Sequence, residues 1–173
     1  MNKTNKKLTN EDLAYIAGFL DGDGCILTQI VKNKQYKFGF TVRASICFYQ
    51  KKARHWFMIW LKDQFDVGYI SIRNDDMCVF TITGFTLVKA TLLKLIPFLR
   101  IKRPVAMICL KVIELYQHVV TKADFLEVCT LIDKAANHND SRNRKYTLAV
   151  IEQHLNSPVE TDGFMPEIVK KSS

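Results

Sequence analysis

Residues 38–50 alternate between apolar and polar side chains, and this stretch constrains the fold more than any other part of the chain. Alternation with a period of two is typical of a β-strand that is buried on one face and exposed on the other. At about 3.3 Å per residue, such a strand would be roughly 43 Å long, which is longer than most strands. The pattern therefore predicts an antiparallel sheet that is covered on one face only.

Three further strands are predicted by the same alternation, over residues 25–31, 67–73 and 77–83. The turn chemistry of Asn74-Asp75-Asp76 joins the last two strands into a hairpin. Helical periodicity and capping residues predict helices over residues 13–21, 52–64, 86–96, 104–116, 121–136 and 144–155. The order α-ββ-α-ββ-α followed by helices predicts the α+β class with a four-stranded antiparallel sheet. We expect a single domain over residues 1–155 and a flexible tail over residues 156–173.

The net charge of +8, from 25 Lys+Arg against 17 Asp+Glu, indicates a polyanionic partner. Residues 24–62 and 77–113 contain no Asp or Glu at all. The basic residues in these two stretches are Lys32, Lys34, Lys37, Arg43, Lys51, Lys52, Arg54 and Lys62, and then Lys89, Lys94, Arg100, Lys102, Arg103 and Lys111. A solvated basic face is the alternative, but such a face usually mixes both signs of charge. The exclusion of acids therefore favours phosphate binding.

The polar face of the predicted sheet also lacks acids and is rich in amides, hydroxyls and Arg. Its members are Gln29, Asn33, Gln35, Tyr36, Thr41, Arg43, Ser45, Tyr49, Tyr69, Ser71, Arg73, Thr81 and Thr83. These groups are the ones that read base edges in the major groove of DNA. An ordinary solvent-exposed face, which is the alternative, would usually include Glu and Asp. The sequence therefore predicts a surface that binds double-stranded DNA.

Other classes of function find little support in the chain. No apolar run approaches the ~18 residues of a membrane span, and the polar start has no apolar leader segment, so we expect no membrane partner. The histidines are scattered, without a nucleophile pattern, and no small-molecule substrate is expected. The cysteines are odd in number, far apart and without a CxxC pair, which indicates reduced thiols that mostly fill the core. They are Cys25, Cys47, Cys78, Cys109 and Cys129.

The first predicted helix ends in Ile16-Ala17-Gly18-Phe19-Leu20-Asp21-Gly22-Asp23-Gly24, which is unusual in two respects. Ala14, Gly18 and Gly22 recur every four residues, although a glycine costs a helix about 1 kcal/mol relative to alanine. Such a stripe of small residues lets another backbone approach closely. Asp21 and Asp23 lie at the negative end of the helix dipole, and a divalent cation there would reverse this unfavourable interaction. Ordinary Asp-Gly turn chemistry at a helix end is the alternative.

These nine residues resemble the LAGLIDADG motif of homing endonucleases. The matching residues are Ala17, Gly18, Asp21, Asp23 and Gly24. The departures at Ile16, Phe19, Leu20 and Gly22 exchange an apolar residue for another, or a small residue for another. Further segments resemble the enzymes encoded in organelle group I introns: Tyr36-Lys37-Phe38, Gln50-Lys51, Arg54 with Trp56-Phe57, Val67-Gly68-Tyr69, Pro97-Phe98-Leu99 with Lys102, Phe125-Leu126-Glu127-Val128-Cys129-Thr130, and Asn139-Asp140-Ser141. A single copy of the motif is similar to the members that act as homodimers.

The resemblance implies a fold in which two motif helices cross at a molecular twofold and a curved four-stranded sheet binds DNA. It implies that Asp23 and the Gly22 carbonyl hold metal at the scissile phosphate. Gln50, Arg54 and Lys102 would complete the catalytic group by placing waters and balancing charge; a strand-end amide, a helix-surface Arg and a loop Lys are the alternatives. The implied dimer interface consists of Ala14, Gly18, Phe19, Asp21 and Gly22.

The implied cofactor is Mg²⁺, as two or three ions shared at the twofold, with Mn²⁺ substituting and Ca²⁺ supporting binding only. Two metals that flank a phosphate suit phosphodiester hydrolysis, and a dimer supplies two carboxylates to bridge them. The basic turn at residues 139–145 resembles a phosphate-binding loop, through Ser141, Arg142, Arg144 and Lys145; a solvated helix start is the alternative. The resemblance also implies an organelle, the chloroplast, as the location.

Three functions are compatible with these features. The first is a homodimeric, sequence-specific DNA endonuclease that cleaves a long pseudo-palindromic site to initiate intron homing. The second is a binding module on the same fold, either an RNA maturase or a DNA binder without cleavage, and the third is a helix-turn-helix regulator. Asp23, Arg54 and Lys102 favour the enzyme, because a pure binder has no need for an acid that faces phosphate.

Overall fold

The structure is a computed structural model that describes residues 8–139 and 144–157. Its elements are, in chain order, α1 (Asn10–Asp23), β1 (Gly24–Lys32), β2 (Phe40–Lys51), α2 (His55–Phe65), β3 (Tyr69–Ile72), β4 (Met77–Thr83), α3 (Phe85–Leu95), α4 (Arg103–Tyr116), α5 (Lys122–Asn137) and α6 (Leu148–Asn156). The predicted order α-ββ-α-ββ-α followed by helices is thereby confirmed. Most of the predicted tail, residues 158–173, lies outside the described residues.

The strands form one antiparallel sheet in the order β1-β2-β4-β3. Its inner face carries the large apolar side chains of the alternating pattern, including Ile46, Phe48 and Phe80, all of which are buried. Phe48 lies opposite Phe80 in the register, and their rings stack at 5.9 Å between centroids. The predicted inner face of the long strand is therefore confirmed.

Helices cover the inner face along its whole length, through two hydrophobic clusters. The first cluster joins α1, α2 and α3 to the sheet, and Ile16 and Leu20 of α1 are fully buried in it. The second cluster packs α4, α5 and α6 against the hairpin end of β1 and β2, around Val42, Phe125 and Ile151. The C-terminal helices thus bury the apolar side chains at the hairpin end of β2, which the first cluster does not reach. Among the described residues, no helix is long and apolar enough to cross a membrane.

Local chemistry explains the ends of the elements. The Thr9 hydroxyl accepts from the Asp12 N–H, and the Asp12 carboxylate accepts from the Thr9 N–H, so a capping box begins α1. The helix continues through Asp23, two residues beyond the predicted end at Asp21. Gly24 then ends the helix at a position where a Cβ would lie 2.9 Å from the backbone Cα and carbonyl oxygen of Leu20, which only glycine tolerates. The long strand starts at Phe40 rather than residue 38, because Gly39 has a φ of +73° in the preceding turn.

Candidate active site

Asp23 is the last residue of α1, and its carboxylate is exposed. Within residues 8–139 and 144–157, no hydrogen bond or ion pair involves this carboxylate. It therefore presents a free negative charge at the negative end of the helix dipole, where a cation would stabilise it. The neighbouring Gly22 is exposed as well, and a Cβ there would have no other atom within 4 Å.

Asp21 lies in a different environment, although it is only two residues away in the same motif. Its buried carboxylate accepts hydrogen bonds from the backbone N–H groups of Arg100, Ile101 and Lys102, at 2.7, 3.2 and 2.8 Å. The carboxylate therefore holds the turn between α3 and α4 inside its own subunit. The place of Asp21 in a dimer interface stays a prediction, although its carboxylate is already satisfied within the chain.

Phe19, another predicted interface residue, is half-buried and makes contacts within its own chain. Its ring stacks on Phe48 at 5.9 Å and meets Phe57 edge to face at 4.9 Å between centroids. The side chain therefore serves the first hydrophobic cluster. By contrast, Ala14, Gly18 and Gly22 are exposed, as an interface stripe must be in a single chain.

Lys102 is held at the end of α1 by two kinds of contact. Its backbone N–H donates to the Asp21 carboxylate, and its Nζ donates to the Asp21 backbone carbonyl at 2.5 Å. Burial raises the pKa of the Cys25 thiol, and the positive charge of Lys102 partly offsets this rise. Since Cys25 follows Asp23 by two residues, Lys102 brings a positive charge to the same end of the sheet.

Gln50 and Arg54 lie at this end of the sheet too. Gly24, which directly follows α1, is opposite Phe48 of β2. Gln50 is two residues further along β2 and therefore lies near the end of α1. The Arg54 Nη1 donates to the Gln50 Oε1 at 2.8 Å, which couples the amide to a guanidinium. The structure thus brings Asp23, Gln50, Arg54 and Lys102 to one end of the sheet, while their catalytic roles stay a prediction.

The donor set fits a magnesium site that a single chain cannot complete. In the part of the chain that the structure describes, no group of three or more His, Cys, Asp or Glu could hold a metal ion. Magnesium commonly uses one or two carboxylates and takes its other ligands from water and phosphate oxygens. One exposed carboxylate at Asp23 and the Gly22 carbonyl match this requirement if phosphate and a second chain supply the rest.

The outer face of the sheet is the second part of the candidate site. Gln29 on β1 lies directly opposite Arg43 on β2, and both are exposed. Tyr69, Ser71 and Arg73 are exposed at the other edge. Ser45, Tyr49 and Asn33 are half-buried, and Thr83, Gln35 and Tyr36 are exposed. Burial, with Cys47 as a neighbour, raises the pKa of Tyr49 to about 12, so its hydroxyl remains protonated and can donate a hydrogen bond at neutral pH.

Two hydroxyl residues assigned to this face are less accessible than predicted. Thr41 is buried and shares a hydrogen bond of 3.1 Å with the Tyr116 hydroxyl at the end of α4. Thr81 is buried on the central strand β4, and its Oγ1 lies 3.8 Å from the Cys47 sulfur. Alternation placed both residues on the correct strand, but these neighbours occupy the hydroxyls that were expected to read bases.

The prediction for the basic turn at residues 139–145 needs one correction, at Arg144. Arg144 forms an ion pair with Asp133, whose second oxygen accepts from the Leu148 N–H at 3.1 Å. The guanidinium therefore fastens the start of α6 to α5 and is not a free phosphate ligand. Lys145 is exposed, in agreement with a phosphate contact, whereas Ser141 and Arg142 lie outside the described residues. At the opposite end of the sheet, Arg73 is paired with Asp75 at 2.8 Å.

Sequence reasoning missed two features. The Asn139 Nδ2 donates to the Ile26 carbonyl at 2.6 Å, which ties the end of α5 to the edge strand of the sheet. Cys25 and Cys47 lie opposite each other on the outer face, and only Cys78, Cys109 and Cys129 are fully buried in the core. For Cys47 a signal existed, since it falls between Ser45 and Tyr49 on the polar side of the alternation.

Replacing Asp21 with asparagine should lower the free energy of unfolding by about 1–3 kcal/mol, because the amide NH₂ would face a buried backbone donor. Urea unfolding, followed by circular dichroism, measures this loss. Asp63→Asn, on the exposed surface of α2, is the matched control and should be neutral. An Asp21→Asn protein as stable as the parent would show that the carboxylate does not hold the turn at residues 100–102.

Comparisons with known proteins agree with this geometry. The family model described as LAGLIDADG endonuclease matches residues 16–104. The DNA endonuclease I-CreI of Chlamydomonas reinhardtii is 38% identical over 154 residues, which cover 88% of this chain and 94% of that protein. The DNA endonuclease I-CvuI of Chlorella vulgaris is 34% identical over 131 residues, which cover 76% of this chain and 81% of that protein.

Crystal structures of I-CvuI have the same fold as this chain. One, with its target DNA and 2 mM Ca, has a TM-score of 0.79 at 30% identity and covers 84% of this chain and 92% of that chain. Another, with the I-CreI target and 2 mM Mg, in which the DNA is not cleaved, has a TM-score of 0.79 at 29% identity and covers 89% of this chain and 96% of that chain. Motif, fold and relatives agree, and the chain belongs to the LAGLIDADG endonuclease family.

Proposed function

We propose that this protein is a homodimeric, sequence-specific DNA endonuclease that cleaves both strands of a long pseudo-palindromic site and so initiates intron homing. The observation that carries the proposal is the free Asp23 carboxylate at the end of α1, at the same end of the sheet as Lys102, Gln50 and Arg54 and next to an acid-free sheet face. The complexes of I-CvuI with target DNA support it. The resemblance to enzymes of organelle introns makes the chloroplast the proposed location.

A second copy of the chain is the proposed partner at α1. Apart from the backbone of its own helix turn and its chain neighbours, a Cβ on Gly18 or Gly22 would meet no atom within 4 Å, so the fold of one subunit does not require either glycine. The close approach of another backbone would require both. Apolar side chains also flank the stripe: Tyr15 on α1, Trp56, which is 67% exposed, and Ile101, which is 74% exposed. Burial of these side chains in a dimer would remove their apolar surface from water.

The reaction is hydrolysis of a phosphodiester bond in each strand. A divalent metal, when bound, activates the attacking water and stabilises the leaving oxygen. The Asp23 carboxylate and the Gly22 carbonyl of each subunit would hold it, as two or three ions at the twofold. Lys102 would stabilise the negative charge that develops on the phosphate, and Gln50, coupled to Arg54, would orient a water molecule. We propose Mg²⁺ as the ion, Mn²⁺ as a substitute, and Ca²⁺ as an ion that supports binding only.

Replacing Arg43 with alanine should change the preferred base pair at one symmetric pair of positions in the target. Arg43 is exposed opposite Gln29 on the outer face, where a guanidinium can contact a base edge. Affinity for the original site should fall by about 1–3 kcal/mol. Binding to a set of single-base target variants measures this effect. A uniform loss over all sequences would identify Arg43 as a phosphate contact instead.

A library of long pseudo-palindromic duplexes tests the whole proposal. We expect double-strand cleavage of one family of sequences with Mg²⁺, and retention of the same sequences without cleavage with Ca²⁺. Retention of single-stranded or folded RNA, with no duplex cut under either condition, would favour the maturase instead. Analytical ultracentrifugation of the same sample gives the number of subunits on the cleaved duplex.

A further inference from the structure

Cys25 on β1 and Cys47 on β2 lie directly opposite each other on the outer face of the sheet. Opposed residues of an antiparallel pair share a face, with Cβ atoms about 4.5–5.5 Å apart. Cys25 is half-buried and Cys47 is buried, with the Thr81 hydroxyl 3.8 Å from its sulfur. The two sulfurs therefore belong to one local environment, separate from the three cysteines in the core.

The position of this pair in the ladder determines its spacing more closely. The Asn33 N–H donates to the Gly39 carbonyl at 2.8 Å, which is one of the two bonds of a hydrogen-bonded pair, while the Gly39 N–H donates to the Tyr36 carbonyl in the turn. Hydrogen-bonded pairs recur at every second position of an antiparallel ladder, with Cα atoms about 5.5 Å apart. The register is unbroken between Lys32 opposite Phe40 and Gly24 opposite Phe48. Cys25 and Cys47, each eight residues from Asn33 and Gly39, are therefore a hydrogen-bonded pair as well.

An independent contact supports this assignment. Ile26, the neighbour of Cys25, must then belong to a non-hydrogen-bonded pair. In such a pair, the carbonyl of Ile26 points away from β2. The Ile26 carbonyl does so, since it accepts from the Asn139 side chain at 2.6 Å. The cysteine pair thus has the wider of the two Cβ spacings, towards about 5.5 Å, which exceeds the separation of about 3.5–4.5 Å between the Cβ atoms of a relaxed disulfide. Two sulfurs that are too far apart to bond to each other can instead bind one ion between them.

We propose that Cys25 and Cys47 form a two-sulfur site for a soft, thiophilic monovalent cation of the Cu(I) class. Thiolates are the ligands that such ions select, whereas the hard ion expected at Asp23 takes oxygen. On binding, each thiol loses its proton and each sulfur forms one bond to the ion, without any transfer of electrons.

Silver ion is a practical probe of this site, because it is monovalent, thiophilic and stable in air. We expect native mass spectrometry, in a buffer free of chloride and added thiol, to show one Ag⁺ per chain at stoichiometric concentration. The bound ion should protect Cys25 and Cys47 from alkylation by iodoacetamide. Cys25→Ser and Cys47→Ser should each bind Ag⁺ roughly a hundredfold more weakly, because one of only two sulfur ligands is lost. Cys129→Ala, in the core of α5, is the control and should bind normally.

Normal Ag⁺ affinity in a folded Cys25→Ser protein would overturn the proposal, and so would protection of other thiols instead of these two. Rapid and complete formation of a Cys25–Cys47 disulfide with dilute hydrogen peroxide would overturn it too, because the sulfurs would then be at disulfide distance. Thermal melting of each variant establishes that it is folded. None of these measurements uses DNA, so their outcome is independent of the proposed nuclease function.

Discussion

Replacing Asp23 with asparagine should abolish DNA cleavage and leave DNA binding intact. Asparagine keeps the size of the side chain but removes the charge that would hold a divalent ion at the scissile phosphate. Cleavage should fall by at least about 10³-fold, because the metal both activates the water and stabilises the leaving oxygen. Affinity in the absence of metal should be unchanged or higher, since one carboxylate no longer repels the phosphates. A gel assay of binding and nicking with Mg²⁺ on one target duplex measures both quantities.

Two controls make this result specific. Asp63→Asn changes an exposed carboxylate on α2 and should cleave normally. Asp21→Asn should act through stability, because that carboxylate binds only backbone N–H groups in the structure. At temperatures well below its melting point, the Asp21→Asn protein should therefore cleave DNA better than the Asp23→Asn protein does. Near-normal cutting by Asp23→Asn would remove the catalytic assignment and leave a protein that only binds nucleic acid.

Replacing Gly18 with leucine should abolish dimerisation and cleavage together. A Cβ at Gly18 meets no other atom of the chain within 4 Å, so the single subunit can accept a larger side chain. The exchange should even favour the helix, since glycine is about 1 kcal/mol worse than a good helix former. We therefore expect a folded monomer with an unchanged or higher melting temperature. Light scattering at micromolar concentration, with a cleavage assay on the same sample, tests this expectation.

Ala90→Leu provides the matched control, because Ala90 is an exposed position on α3, away from the small-residue stripe. It should remain dimeric and active. A Gly18→Leu protein that is still dimeric would show that α1 does not form the interface. A parent protein that is monomeric on its target and still cuts both strands would contradict the homodimer itself.

The long strand shows how much of the fold could be predicted. Alternation over residues 38–50 assigned Ile46 and Phe48 to the core and Arg43 to the outer face, and the structure agrees. The prediction was reliable because side chains of a strand alternate between its faces whatever the strand pairs with. The same pattern places Cys47 on the polar side of the strand, and the structure has it on the outer face as well.

The two aspartates of the motif show where prediction from sequence ended. Asp21 and Asp23 have the same side chain at the same helix end, and no local pattern distinguishes a buried carboxylate from a free one. The difference is made by the backbone of Arg100, Ile101 and Lys102, about 80 residues further along the chain. Arg144 is a similar case, because its pairing with Asp133 depends on how α6 packs on α5.

The sequence by itself therefore determined the class of fold, the buried face of the sheet and the presence of the first helix just before the two motif aspartates. These features depend on periodicity and capping, which act between residues a few positions apart. Only the tertiary structure decided which polar groups are already satisfied: Asp21 by a turn, Thr41 by Tyr116, and the Ile26 carbonyl by Asn139. Whether a carboxylate, hydroxyl or carbonyl is free to act depends on hydrogen-bond partners that folding brings from distant parts of the chain. The residues next to such a group in the sequence do not reveal which partners these are.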